Sequence, residues 1–152
     1  MKKSVFMVVV LSVLFLGLAA ESYAQRGPMK WYGSGGWGPG TPYNRMYDPA
    51  KVETVSGAVE SISTVVPMKG MNPAAMLVLK TDKELIPIHL GPEWYITRLD
   101  AKIAKGDRIE VKGSRVDFAG KPAIIAAEIK KGDSLLVLRN SSGIPVWAGW
   151  RR

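Results

Sequence analysis

The sequence predicts an all-β domain with one short helix. Three observations carry this reading: short apolar segments alternate with period two from Val52 onward, turn residues punctuate them at short intervals, and a 3.6-residue period occurs once, at residues 92–104. At 152 residues the chain is long enough to bury a single core.

The elements follow in order. Val55, Gly57 and Val59 hold one phase and Ile62, Thr64 and Val66 the other, which predicts a long first strand with a bend or bulge near Glu60. PMKGMNPA (67–74) is a loop. MLVLK (76–80) and LIPIHL (85–90) form a hairpin across the polar turn Asp82-Lys83-Glu84, with Ile86, Ile88 and Leu90 in one phase. Pro87 has no N–H for a ladder, so its strand belongs at an edge or is irregular there. Residues 92–104 read as an amphipathic helix: Pro92 suits its first turn, Glu93 complements its dipole, Ile96, Leu99 and Ile103 share a face, and Gly106 stops it. RIEVKGSRVDF (108–118) changes phase after Gly113, which marks a bulge. Across the turn Ala119-Gly120-Lys121-Pro122, the residues Ala123, Ile125, Ala127 and Ile129 line one face of the next strand, and SLLVLR (134–139) is a further one. A long bent strand, a hairpin, a helix and a bulged strand with its partner, over about residues 51–131, is the order of an OB-fold-like five-stranded small barrel, here with an additional C-terminal strand.

The ends are of different character. Lys2 and Lys3 precede the apolar run Val5 to Ala20, and Ser22 and Ala24 supply small residues before a cut at Ala24-Gln25. Residues 1–24 therefore read as a signal peptide, and the mature chain is expected in the periplasm or secreted. Residues 25–50 form a Gly/Pro/aromatic-rich arm, residues 51–140 the barrel, and residues 141–152 an aromatic-basic tail ending Trp150-Arg151-Arg152. The arm is either a tether or an extended segment whose Trp31, Tyr32, Trp37, Tyr43 and Tyr47 pack on the domain or a partner; aromatics are depleted in true linkers. Likewise Trp147 and Trp150 either contact a partner or fold back over the open bottom of the barrel.

Composition removes several function classes. Without Cys there is no disulfide framework, thiolate metal site or cysteine nucleophile, and a single His leaves no second imidazole for a His-rich metal centre. The net charge is +8; removing Lys2, Lys3 and Glu21 leaves +7 on the mature chain. That excess is scattered among acidic neighbours, and the hairpin 76–90 has no aromatic on which a base could stack, so nucleic acid is disfavoured as a partner.

TVSGAVESI (54–62), KGDRIEVKGSRV (105–116) and KPAIIAAEI (121–129) resemble small exported bacterial OB-fold proteins, which carry a signal peptide and one barrel. The shared elements are the V-x-G-x-V strand start at Val55–Val59 and the G-D strand running from Gly106-Asp107 to Gly113. These motifs specify a barrel and not a site.

The expected function is a non-enzymatic binding or interaction module of the cell envelope with no cofactor, its partner an envelope protein, an anionic lipid or an acidic glycan. Ligand contacts are expected from Lys69, Met71, His89, Trp94, Arg115, Phe118 and Lys121, in the loops 67–74 and 118–122 at the usual ligand edge of such barrels and in their surroundings. His89 lies out of phase with Ile88 and is expected to face solvent or cap a loop. Met68, Met71 and His89 form an alternative soft-metal set, since thioether and imidazole suit copper. They resemble in type the Met, His and Trp ligands of a periplasmic OB-fold copper-chaperone family, but that family's closely spaced Met pair on a strand is absent here. Asp82/Glu84 and Asp107/Glu110 fall in turns or on alternate strand faces, where solvated charges are ordinary, and no nucleophile motif accompanies them.

Overall fold

Period-two alternation makes a strand two-faced, and six such strands bury their apolar faces against one another. The computed structural model describes residues 35–100 and 102–148, all within the unit Tyr32–Arg152. The apolar run and cleavage motif of residues 1–24, with Trp31, Tyr32, Trp150, Arg151 and Arg152, lie outside the described residues. The strands are β1 (Val52–Val65), β2 (Ala74–Lys80), β3 (Leu85–Pro92), β4 (Arg108–Phe118), β5 (Lys121–Lys131) and β6 (Ser134–Val137), with the short helix α1 (Glu93–Ile96) between β3 and β4.

Neighbouring strands in the order β3-β2-β1-β4-β5-β6 are hydrogen-bonded, and β3 also runs parallel to β5 at Ile88↔Ile124 and His89↔Ile125. That last pairing closes β1 to β5 into a ring. The architecture is the expected OB-like barrel with its helix between the third and fourth strands and β6 added outside. Its interior is filled by Val59, Leu77, Leu79, Ile86, Ile88, Ile109, Val111 and Ile129, all buried; each such aliphatic side chain is worth about 1.5–3 kcal/mol on burial.

Both expected bulges are present. The β1–β2 register shifts between Val59 and Ser61, and the β4–β5 register between Lys112 and Gly113. At Gly113 a Cβ would collide with the Ile125 carbonyl oxygen, so the second bulge admits only glycine.

Four expectations change in the folded chain. The helix is four residues long instead of spanning 92–104. Arg98 and Leu99 donate to carbonyls three residues back, which tightens and ends the helix, and the Asp107 carboxylate accepts from the Ala104 N–H at 2.8 Å, holding residues 104–107 as a turn. Leu99 and Ile103 still pack on the core, so their spacing reported burial without continuous helix. The first strand ends at Val65, short of Val66, and Ile62 is 47% exposed and Val66 55% exposed, because among the described residues β1 beyond Val59 pairs only with β2 and runs past the β4 edge. On β5, Ala123 to Ala127 are all buried where one face was expected, since a second layer covers the outside of that strand. Finally β6 stops at Val137, and the chain bends so that Leu138 and Arg139 are both buried.

Candidate binding cleft and the layer that closes the barrel

The second layer is made by the chain's own ends. Trp37, Tyr43 and Tyr47 of the arm and Trp147 of the tail are buried. The Trp37 indole N–H donates to the Asn72 carbonyl at 3.0 Å, which ties the arm to the β1–β2 loop. Further along, the Asp48 N–H donates to Ser114 Oγ at 2.9 Å and that hydroxyl donates back to the Asp48 carbonyl at 3.1 Å, which ties the arm to β4. Trp147 donates to the Trp37 carbonyl and lies over Gly91, where a Cβ would stand 2.8 Å from its ring carbons. An aromatic arm thus packs as core, and the tether reading does not apply to residues 35–50.

Inside this layer His89 is 5% exposed, a correction to the solvent-facing position expected from its phase. Parallel pairing of β3 with β5 puts its side chain beneath the arm. Its ring stacks on Phe118 at 4.8 Å and on Tyr43 at 6.1 Å, and the Tyr43 hydroxyl lies 3.2 Å from Nδ1. Burial first, and then the nearby Arg139 charge, lower the His89 pKa to about 4, so the imidazole is neutral at neutral pH, with Nδ1 and the Tyr43 hydroxyl sharing one hydrogen bond. Burial holds the Tyr43 hydroxyl protonated far above the usual phenol range.

Arg139 is 1% exposed. Its Nη1 donates to the Ala126 carbonyl at 2.6 Å and its guanidinium lies 4.9 Å from the Trp147 ring centroid. Among the described residues no carboxylate forms an ion pair with it, and Nε and Nη2 make no hydrogen bond. Burial pulls its pKa down, opposed by the Tyr43 and Tyr47 hydroxyls. Neither Arg139 nor its contact with the His89 environment was legible beforehand; the one available signal was an arginine directly after the apolar run LLVL.

The residues named from sequence are dispersed. The rings of His89 and Phe118 stack on each other, and Tyr43 covers both. Lys69 is exposed in the β1–β2 loop, and Lys121 is exposed opposite Phe118 at the end of the β4–β5 ladder. Met68 and Met71 are joined by a loop hydrogen bond, and Met71 lies against Gly36 of the arm. Among the described residues no three His, Cys, Asp or Glu side chains are grouped to hold a metal ion. Arg115 donates to Glu53 and Glu84, each at 2.6 Å, and these two carboxylates raise its pKa. Trp94 sits on α1 with Arg98 over its ring at 5.8 Å, beside a shallow cleft of about 330 Å³ shared with Asn72 and Glu93. The arm therefore spans the loop edge where a ligand was expected, from Asn72 to Phe118.

An apolar concavity lies on the other side of α1 from the shallow cleft beside Trp94, sharing Glu93 and Thr97 with it. It encloses about 310 Å³, with a floor of Leu77, Leu90, Ile96, Ile103 and Leu136, a wall of Ile62, Ser63 and Thr64 from the outer half of β1, and a rim bearing Glu93, Thr97 and Lys102. This is an apolar pocket with few polar groups on its lip, the usual composition of a binding site. The wall is also a free sheet edge. Beyond Val59, β1 has β2 on one side and, among the described residues, no strand on the other. Sequence reading missed this cleft because the shared phase of Ile62, Thr64 and Val66 reports a common strand face and not what that face meets.

The family model described as the MamS/MamX magnetosome protein family matches residues 51–136, more than half of the chain. The chain belongs to this family. No curated protein matches it. The MamS/MamX match runs through β1 to β5 and into β6, so the whole α1-side cleft lies within it. Trp37, Tyr43, Arg139 and Trp147, which build the closing layer, lie outside it.

Proposed function

We propose that this MamS/MamX-family chain is an exported, non-enzymatic interaction module associated with the magnetosome, and that it engages a polypeptide partner at the α1-side cleft. The observation that carries the reading is the cleft itself: an apolar pocket of about 310 Å³ walled by a strand edge that no strand among the described residues pairs, inside the segment that matches the family. A free strand edge offers backbone donors and acceptors, which a polypeptide satisfies and a lipid chain does not. The reading is supported by His89, the chain's sole imidazole, being enclosed by Tyr43 and Phe118 instead of lining a cavity. Export rests on the basic, apolar and small-residue pattern of residues 1–24.

The test is a photo-crosslinking amino acid placed at Ile62, on the cleft wall, or at Leu85, a still more exposed position on β3. In a magnetosome-forming host the Ile62 probe is expected to give discrete polypeptide adducts and the Leu85 probe none. Indistinguishable patterns from the two sites would end the cleft reading.

A further inference from the structure

We propose that the free edge of β1 pairs with the same edge of a second copy of this chain, forming a two-fold antiparallel junction centred on Ser63. The proposal rests on the interaction-module reading above and names its partner. It starts from an absence of protection. Natural sheet edges are blunted by lysine, proline, shortness or a covering segment. The other open edges of this molecule are: β3 carries Pro87 beside Ile88, and β6 has four residues, after which Val146 donates to the Leu138 carbonyl and covers the chain that follows. Among the described residues the outer half of β1 has no such device. Between the Glu60 bulge and Pro67 the sequence is Ser-Ile-Ser-Thr-Val-Val, uncharged, free of Gly and Pro, and mostly β-branched.

The segment is also self-complementary. Ser61–Val65 is regularly paired with β2 on one side, from Ser61↔Val78 to Val65↔Ala74, and Ser61 to Thr64 are exposed. The antiparallel register that uses all five residues sets Ser63 against Ser63, Ile62 against Thr64 and Ser61 against Val65 of the second copy. No like charges meet: the two Glu60 side chains fall at opposite ends, about 20 Å apart at 3.3–3.4 Å per residue. Ile62, at 47% exposed the large apolar side chain of this wall, is then covered by a β-branched cross-strand neighbour at the mouth of the cleft. A net positive chain resists self-association, and an uncharged edge is where that resistance is least. A two-fold axis is the ordinary symmetry of such an interface.

The chain has no cysteine, so Ser63→Cys gives a single, site-specific reporter. Full-length chain carrying Ser63→Cys is expected to form a disulfide-linked dimer under mild oxidation. Ser61→Cys, about 13 Å from its mate in this register at the same strand rise, is expected to stay unlinked. Light scattering on the unmodified chain should show dimer that dissociates on dilution, and Ile62→Lys, a half-exposed position whose change leaves the fold intact by circular dichroism, should weaken it by about tenfold or more. A monomer at every concentration overturns the proposal. So does a dimer that Ile62→Lys leaves unchanged, or one in which Ser61→Cys links as readily as Ser63→Cys. If the purified chain is monomeric while the Ile62 photo-probe still captures a different polypeptide in the host, the second-copy proposal falls and the interaction-module reading stands. If neither occurs, both fall.

Discussion

The Trp147 indole N–H donates to the Trp37 backbone carbonyl at 2.9 Å, joining residues 110 positions apart. The two rings meet edge to face, and Trp147 also touches Tyr95 and the Arg139 guanidinium. This contact is the clasp between the arm and the tail. Trp147→Ala is expected to cost about 3–5 kcal/mol, the range for a buried tryptophan truncation, read from urea unfolding at neutral pH. Gly91→Ala tests the same seat from below: its new methyl meets the indole at 2.8 Å, and the overpacking should cost about 1–3 kcal/mol. Loss of less than half a kilocalorie in both variants would show that the clasp is not part of the core.

Stability should depend on pH through His89. Its pKa is lowered from 6.5 to about 4 in the folded chain, so the unfolded chain takes up the proton first. The contribution is complete above pH 6.5 and is lost as the pH falls toward 4, amounting to about 3 kcal/mol across that window. His89→Phe keeps a ring in the stack with Phe118 and removes the titration. Its unfolding free energy should vary measurably less between pH 7 and pH 4.5 than that of the unmodified chain; an unchanged slope would assign the pH dependence to other groups.

Arg139 acts on that same imidazole by charge. Replacing it with Met keeps the bulk and the apolar stem and removes the cation, so the His89 pKa should rise, while staying below 6.5 because burial remains the larger cause. Titration of the single histidine by NMR reads this directly. A fall, or no movement, would contradict the placement of the guanidinium.

The Arg115 cluster should behave differently. Its two ion pairs to Glu53 and Glu84 look strong by distance, yet all three side chains are about one third exposed. Arg115→Ala should therefore cost no more than about 1 kcal/mol, and less in high salt. A loss of several kilocalories would mean that the cluster is far better shielded than its exposure indicates.

Much of the barrel was legible because strand chemistry is local. The alternation of Ile86, Ile88 and Leu90, the phase change at Gly113 and the turn residues between strands each report a constraint set within a few positions. The candidate site was not legible for the same reason. His89 is out of phase on β3 and reads as exposed; only its parallel pairing with Ile125 and the arrival of Tyr43, 46 positions earlier, bury it. Ile62 and Thr64 are in phase, which tells that they share a face and not what lies against it; only the point at which β4 stops pairing with β1 makes them a cleft wall.

The sequence by itself determined the strands, their bulges, the OB-like order and the absence of thiol chemistry, since these follow from residue type and spacing. Tertiary structure alone decided which aromatics are core, that Arg139 is buried beside the histidine, and which strand edge is left open. Those outcomes depend on contacts between segments tens of residues apart, where period and composition are silent and the closing of the barrel chooses the neighbours.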